Sequence, residues 1–181
     1  MSHIPKRLAV EGFACTDQVS FGPGWTAQRL NPFLQALGLE LEADQFRLPL
    51  AAGVLDEARE ALPSGEGPLL LLSPSGQSDD WPAPEWQKLP DTIKSRLPAL
   101  RSMVLPAELS LTERAALVAS ADVVLSSCPV SQRLATYCGT PLVALGAEAT
   151  ALPERQEIRC LGRPQELATL QSSEVLTALG F

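Results

Sequence analysis

Short apolar runs alternate with segments of helical periodicity in the middle of the chain. Residues 69–72 are all leucine, and a run that is apolar at each position is typical of a central parallel strand buried on both faces. Three further short runs follow, and a predicted helix separates each run from the next. The four predicted strands are Leu69–Ser73, Ser102–Leu105, Asp122–Ser126 and Leu142–Leu145. This order predicts an α/β fold: a Rossmann-like parallel sheet with helices on both faces.

The predicted helices carry recognisable signals at their boundaries. Pro84 is expected at the first position of one helix, and Pro90 inside the same helix is expected to bend it. Ser110 and Glu113 form a capping-box pattern that opens the next helix. Ser131 is expected to cap the helix that follows the third strand. These signals also delimit the loops that connect strands to helices.

The two ends of the chain carry weaker signals. The elements predicted there are a strand at Arg7–Val10, helices around Pro32–Leu37 and 52–62, and a last strand at Glu157–Leu161. We therefore predict two parts. Residues 1–63 form an N-terminal helical arm with linker helices, and residues 64–181 form the Rossmann-like domain.

Two loops of small residues follow the first and third predicted strands. Parallel sheets bind ligands at the carboxyl ends of their strands, so these loops, at 73–78 and 126–131, are the candidate site. The candidate ligand-binding or anion-binding residues are Ser75, Gly76, Ser126, Ser127, Ser131 and Arg133. The first loop either cradles a phosphate through backbone N–H groups or is an ordinary strand-to-helix connection. Asp79 and Asp80, which follow it in sequence, favour the ordinary connection. The second loop is either an anion site at a helix N-terminus or a plain helix cap, and the sequence leaves both open.

Two tryptophans, Trp81 and Trp86, follow the first loop. An indole ring is large enough to stack on a sugar or a base. Tryptophans at the start of a helix more often pack against the core, because burial of the ring is strongly stabilising. Packing is therefore the favoured interpretation.

Composition and charge narrow the classes of function. With 181 residues, of which 45% are hydrophobic, the chain is long enough to bury the core of one domain. Much of the net charge of −7 is concentrated between Glu40 and Asp80, a segment in which the only basic residues are Arg47 and Arg59. A solvated acidic face is favoured there over an acidic docking patch. The sequence has no basic stripe, so nucleic acid is not an expected partner.

The sequence shows no targeting or membrane signal. No apolar run reaches the roughly 18 residues that span a bilayer, and the first residues lack the apolar core of a signal peptide. The four cysteines have no C-x-x-C spacing, which argues against a zinc site. We therefore predict a cytoplasmic protein with no transmembrane segment, no metal and no other cofactor.

No catalytic constellation is recognisable. Cys128 stands at a predicted helix start, where the helix dipole favours a thiolate, but the single histidine, His3, lies far away near the N-terminus. The same scarcity of histidine argues against a Ser-His-Asp triad. Asp79 and Asp80 are sequence neighbours rather than carboxylates that converge across a cleft. Asp122 is expected to be a solvated group at a strand edge, so no catalytic residue is assigned.

Four local patterns, taken in order and with their spacing, resemble one protein family. They lie at Leu71–Gly76, Trp81–Trp86, Leu109–Leu125 and Gly139–Gly146. This arrangement is similar to the heptosyltransferase family, whose members transfer heptose from ADP-heptose to the inner core of lipopolysaccharide. The resemblance covers about residues 26–180 and only the C-terminal half of that family's two-domain GT-B fold. It implies a domain of the nucleotide-sugar-binding type with an ADP-linked sugar as ligand, and it implies that the acceptor site and the catalytic base belong to the other half.

The resemblance breaks down at positions that contact the donor's phosphates in the family. A lysine of the family corresponds here to Asp79, and a carboxylate repels a diphosphate. An aspartate, a glycine and a histidine of the family correspond to Cys128, Val130 and Arg133. Valine removes the space that glycine leaves for backbone N–H groups to approach a phosphate, whereas Arg133 still offers a positive charge.

Two hypotheses follow from the sequence. In the first, the chain is a glycosyltransferase-like domain that needs an acceptor half from elsewhere and is inactive alone. In the second, it is a non-catalytic scaffold or protein-binding subunit derived from a glycosyltransferase, and its exposed face docks on a protein partner. The degenerate donor site and the absence of an acceptor half favour the second hypothesis for this chain in isolation.

Overall fold

The chain divides into two compact units in the computed structural model, residues 1–46 and residues 47–181. The structure describes residues 5–12, 14–40, 47–148 and 150–181. In the first unit, the short strands Leu8–Ala9 (β1) and Asp17–Gln18 (β2) pair in parallel. A 3-10 turn at Gln28–Leu30 leads directly into the helix Asn31–Ala36 (α1). The strand and the short helix predicted for this region are therefore both present.

The second unit is built on a five-stranded parallel sheet. Its strands are Leu69–Ser73 (β3), Arg101–Val104 (β4), Val123–Ser126 (β5), Leu142–Leu145 (β6) and Ile158–Leu161 (β7). The order across the sheet is β4-β3-β5-β6-β7, and each neighbouring pair is parallel. The predicted Rossmann-like α/β fold is therefore confirmed.

Helices cover both faces of this sheet. They are Ala52–Ala61 (α2), Ala83–Lys94 (α3), Leu111–Ala119 (α4), Pro129–Cys138 (α5) and Ser172–Leu179 (α6). Leu71 of β3 belongs to a core cluster with residues of α2, α4 and α5, whereas Leu70 and Leu72 belong to a second cluster with residues of α3 and α6. Burial on both faces explains why β3 is apolar at successive positions. None of the helices in the described ranges is long and apolar enough to cross a membrane.

The strand order reverses between β3 and β5. From β3 the chain moves to the edge strand β4, returns to β5 on the other side of β3, and then continues outward through β6 and β7. The helix after β3 packs on one face and the helix after β5 packs on the other. The loops that leave these two strands therefore meet at the carboxyl edge of the sheet, the crevice in which doubly wound sheets bind ligands.

The start of α5 differs from its prediction. Ser131 was expected to cap this helix, but the N-cap is Cys128, whose side chain makes no capping hydrogen bond, and Ser131 is the third residue of the helix. The reason is Pro129, whose fixed φ suits the first helical position and starts the helix three residues earlier. The capping box predicted at Ser110 and Glu113 is present in α4.

The boundary between the two parts also differs from the sequence-based division at residue 63. The second unit begins at residue 47 and includes α2, a helix that the predicted division places in the N-terminal arm. Ala58 of α2 is buried in the core cluster with α4 and α5, and Val54 and Leu55 pack against the same cluster. The apolar face of α2 therefore contributes to the core of the sheet unit.

Candidate functional site

Serine side chains connect the two small-residue loops at the reversal of strand order. The backbone N–H of Ser75 donates a hydrogen bond of 2.8 Å to Ser127 Oγ. Ser73 Oγ donates to Ser131 Oγ at 2.8 Å, and Ser126 Oγ donates to the Ser73 carbonyl at 3.0 Å. Small hydroxyl side chains allow the ends of β3 and β5 to approach closely while each buried polar group keeps a partner. The structure therefore brings Ser75, Ser126, Ser127 and Ser131, predicted from sequence, into one cluster.

The loop after β3 uses its N–H groups within the chain. Asp80 Oδ2 accepts hydrogen bonds from the backbone N–H of Ser75 at 2.8 Å, from Ser75 Oγ at 2.9 Å and from the backbone N–H of Gly76 at 3.1 Å. Asp80 Oδ1 accepts from the backbone N–H of Trp81 at 2.7 Å. These N–H groups were the candidates for cradling a phosphate. Each of them faces a carboxylate of the same loop.

The predicted Arg133 and an unpredicted arginine lie near the start of α5. Arg133 is exposed, and within the described part of the chain its guanidinium has no hydrogen-bond or ion-pair partner. Arg114 of α4 instead reaches the serine cluster, with its Nη1 at 3.4 Å from Ser131 Oγ. Its Nη2 donates to the carbonyls of Pro106 and Ala107, both at 3.2 Å. The sequence signal for Arg114 was its position one turn into a helix that begins at the carboxyl edge.

A buried glutamine, also missed from sequence, ties two strand ends together beneath the site. Gln132 is only 3% exposed. Its Nε2 donates to the carbonyl of Ser126 at 2.9 Å and to the carbonyl of Leu145 at 3.0 Å. Because these carbonyls terminate β5 and β6, the amide of Gln132 sets the distance between the two strand ends. The buried residues of this helix also include Ser131 and Thr136, so the residue type of Gln132 gave no distinguishing signal in the sequence.

A cavity of about 500 Å³ opens beside the loop after β3. Its walls include Asp80, Trp81, Trp86, Gln77 and Val104. Trp81 is 1% exposed, its Nε1 donates to the Leu170 carbonyl at 3.0 Å, and its ring packs edge-on against Trp86 with the centroids 5.3 Å apart. This geometry agrees with the packing interpretation of Trp81. Trp86 is 7% exposed, and its buried Nε1 has no partner among the described residues.

The described residues supply little reactive chemistry. Among them, no group of histidine, cysteine, aspartate and glutamate side chains is placed to hold a metal ion. Burial raises the pKa of the Cys138 thiol to about 11 and also raises the pKa of Cys160, so both thiols stay protonated at neutral pH. Hydrogen bonds with the side chain and backbone of Ser110 lower the pKa of Glu113. That carboxylate belongs to the capping box of α4 and not to the crevice.

Comparison with known proteins identifies relatives in fold. No protein-family model matches the sequence, and no curated protein matches it. A glycosyl transferase family 9 structure from Veillonella parvula DSM 2008 superposes with a TM-score of 0.76 and 14% identity, over 97% of this chain and 66% of that one. The ADP-heptose LPS heptosyltransferase II of E. coli superposes with a TM-score of 0.58 and 18% identity, over 74% of this chain and 52% of that one. The backbone fold of this chain is similar to that of one part of these two structures.

The predicted resemblance to heptosyltransferases is therefore confirmed at the level of the fold. The chain spans about half of the heptosyltransferase structure and 66% of the Veillonella structure. At these identities the superposition concerns the backbone architecture. The roles of Ser75, Gly76, Ser126, Ser127, Ser131 and Arg133 in donor or anion binding stay predictions.

Proposed function

We propose that the unit of residues 47–181 is a glycosyltransferase-like domain that binds a nucleotide sugar at the carboxyl edge of its sheet. The observation that carries this proposal is the junction of the loops after β3 and β5 at the reversal of strand order, beside a cavity of about 500 Å³. Doubly wound sheets bind nucleotides at this position, and the volume is in the range of small-molecule sites. The fold of the matched glycosyltransferases supports the same assignment.

The ligand class follows from the resemblance and from the site. An ADP-linked sugar is the expected donor, because the sequence patterns resemble heptosyltransferases. The N-terminus of α5, with Arg114 and Arg133 on its flanks, is the part of the crevice that favours an anion. In the family that the sequence patterns resemble, the acceptor site and the catalytic base belong to the other half of the fold, and we propose the same division for this protein. The cytoplasm stays the predicted compartment.

A second function, that of a non-catalytic binding subunit, is favoured by a separate observation. Among the described residues of this unit, the exposed large apolar side chains are Val104, Leu111 and Val130. All three lie at the carboxyl edge of the sheet, at the end of β4 and at the starts of α4 and α5. Apolar groups gathered at one edge are typical of a surface that contacts another protein.

Nucleotide binding by the whole chain tests the first function. We expect ADP and ADP-linked sugars, but not UDP or GDP at equal concentration, to raise the melting temperature. A ligand at a hundred times its dissociation constant stabilises a protein by about 2.7 kcal/mol, which is a shift of roughly 5–10 °C in a domain of this size.

Two matched variants locate the effect. We expect Arg133→Ala to weaken ADP binding, because it removes a positive charge one turn into α5. Arg96→Ala removes the same charge from an exposed position after α3, away from the crevice, and we expect it to leave binding unchanged. The absence of any nucleotide-dependent shift at millimolar concentration would contradict nucleotide binding and leave the binding-subunit function.

A further inference from the structure

The side chain of Asp80 occupies the position at which the loop after β3 could hold a phosphate oxygen. Oδ2 collects the N–H groups of Ser75 and Gly76 together with the Ser75 hydroxyl, at 2.8–3.1 Å. The other oxygen accepts from the N–H of Trp81 at 2.7 Å. Successive N–H groups that converge on one oxygen form an anion-binding nest, which accepts a carboxylate or a phosphate alike. In this chain the nest is already filled by an anion of the same loop.

We propose that Asp80 is a specificity-determining residue that closes this nest to the phosphate groups of ligands. A phosphate would have to displace a carboxylate that is attached to the loop and therefore present at a high effective concentration. It would also approach the negative charges of Asp80 and its exposed neighbour Asp79. No Lys or Arg among the described residues forms an ion pair with Asp80 to offset that repulsion.

The cavity next to Asp80 indicates which part of a ligand this loop accepts. Its walls combine the indole of Trp86 and the side chain of Val104 with two amide side chains, Gln77 and Gln87. Such a mixture suits a neutral ring that carries hydrogen-bonding groups, whereas a diphosphate needs positive charge or free N–H groups. Asp80 therefore selects an uncharged sugar or nucleoside ring at this position and excludes phosphate from it.

Binding of inorganic pyrophosphate to the whole chain tests the inference by calorimetry. We expect no measurable affinity in the wild type and a gain of roughly tenfold or more in Asp80→Ala. The Gly76 N–H and the Ser75 hydroxyl then become free to make charge-assisted hydrogen bonds, and the Ser75 N–H keeps only Ser127 Oγ as its acceptor. Asp79→Ala removes the same charge from the adjacent residue without emptying the nest, so we expect little gain. Asp80→Asn removes the charge but keeps an oxygen that can accept from the nest, and it should resemble Asp79→Ala.

Equal affinities of Asp80→Ala and Asp79→Ala for pyrophosphate would overturn the inference, because net charge alone would then explain binding. Should Asp80→Ala fail to fold, the wild type still decides the question by amide NMR. We expect the Ser75, Gly76 and Trp81 amide signals to stay in place when pyrophosphate is added, and a saturable shift of these signals would overturn the inference.

The inference rests on the proposed function only for the assignment of the crevice as the ligand site. Measuring ADP binding alongside pyrophosphate binding distinguishes a failure of the inference from a failure of the proposed function. A gain of pyrophosphate affinity in Asp80→Ala, with no ADP binding by the wild type or by Asp80→Ala, would support the role of Asp80 and contradict nucleotide-sugar binding. Tight ADP binding by the wild type with equal pyrophosphate binding by all variants would support nucleotide binding and contradict the role of Asp80.

Discussion

Replacement of Gln132 by leucine probes the support beneath the candidate site. In the wild type, its Nε2 donates to two carbonyls, those of Ser126 and Leu145, at the ends of β5 and β6. The residue is 3% exposed, so water has little access to either carbonyl oxygen once the amide is removed. Leucine has a similar volume, and the substitution therefore removes the two hydrogen bonds without a large change in packing.

The expected loss of stability follows from these contacts. A buried carbonyl that loses its partner costs about 1–3 kcal/mol, and two carbonyls are affected. The additional apolar surface of leucine offsets about 1 kcal/mol. We therefore expect the Gln132→Leu change to lower the free energy of unfolding by about 1–5 kcal/mol. Gln132→Glu should cost more, because a carboxylate of nearly the same shape would face the two carbonyls.

Urea denaturation measures this difference. We expect a lower midpoint with an unchanged slope, which indicates a stability change without a change in the surface exposed on unfolding. Gln87→Leu is the matched control: Gln87 is exposed on α3, and its loss should change stability by no more than about 0.5 kcal/mol. If the Gln132 variants are as stable as this control, the two hydrogen bonds do not hold the strand ends together and the reasoning is refuted.

Three further predictions concern the surroundings of the site. Trp81→Phe should destabilise the protein by about 1 kcal/mol more than Trp86→Phe in urea denaturation, because only the Trp81 indole donates a hydrogen bond, and its loss leaves the Leu170 carbonyl without that donor. Equal losses of stability in the two variants would contradict this. The thiol of Cys138, with a pKa of about 11, should stay unmodified by a thiol reagent at neutral pH in the folded protein and react after unfolding; rapid labelling of the native state would refute its burial. Because hydrogen bonding with Ser110 lowers the pKa of Glu113 below its ordinary 4.5, its ionised form stabilises the fold above that pH. The difference in urea midpoint between the wild type and Glu113→Gln should therefore shrink as the pH falls below 4.5, and a constant difference would contradict the sign.

The structure distinguishes the two acidic residues that follow the first loop, Asp79 and Asp80. From sequence, the acidic pair after the first loop indicated repulsion of a diphosphate. In the structure, Asp80 is turned toward the loop and satisfies its N–H groups, whereas Asp79 is exposed. The two carboxylates therefore have different roles: one is part of the loop's hydrogen bonding, and the other contributes only charge.

Local chemistry was enough to predict most of the architecture. The four leucines of β3, the capping box at Ser110 and the proline and glycine signals around the helices are effects of adjacent residues, and the predicted strands lie within one or two residues of the observed ones. The alternation of strand and helix then implied a parallel sheet, because parallel strands need a crossover connection. The candidate loops followed from the same rule, since they come directly after predicted strands.

The strand order and the partners of polar side chains were decided by tertiary structure alone. Contacts such as Ser75 with Ser127 or Gln132 with Leu145 join residues far apart in sequence, and no periodicity encodes them. The start of α5 was mispredicted for the same reason. Ser131 has the residue type of a helix cap, but its hydroxyl accepts a hydrogen bond from Ser73 Oγ at the end of β3. The sequence by itself determined which segments form strands and helices and which two loops are the candidate ligand site. The folded structure decided that Asp80 fills the first loop and that Arg114 reaches the second, because a hydrogen bond depends on the distance between atoms that only the packed sheet brings together.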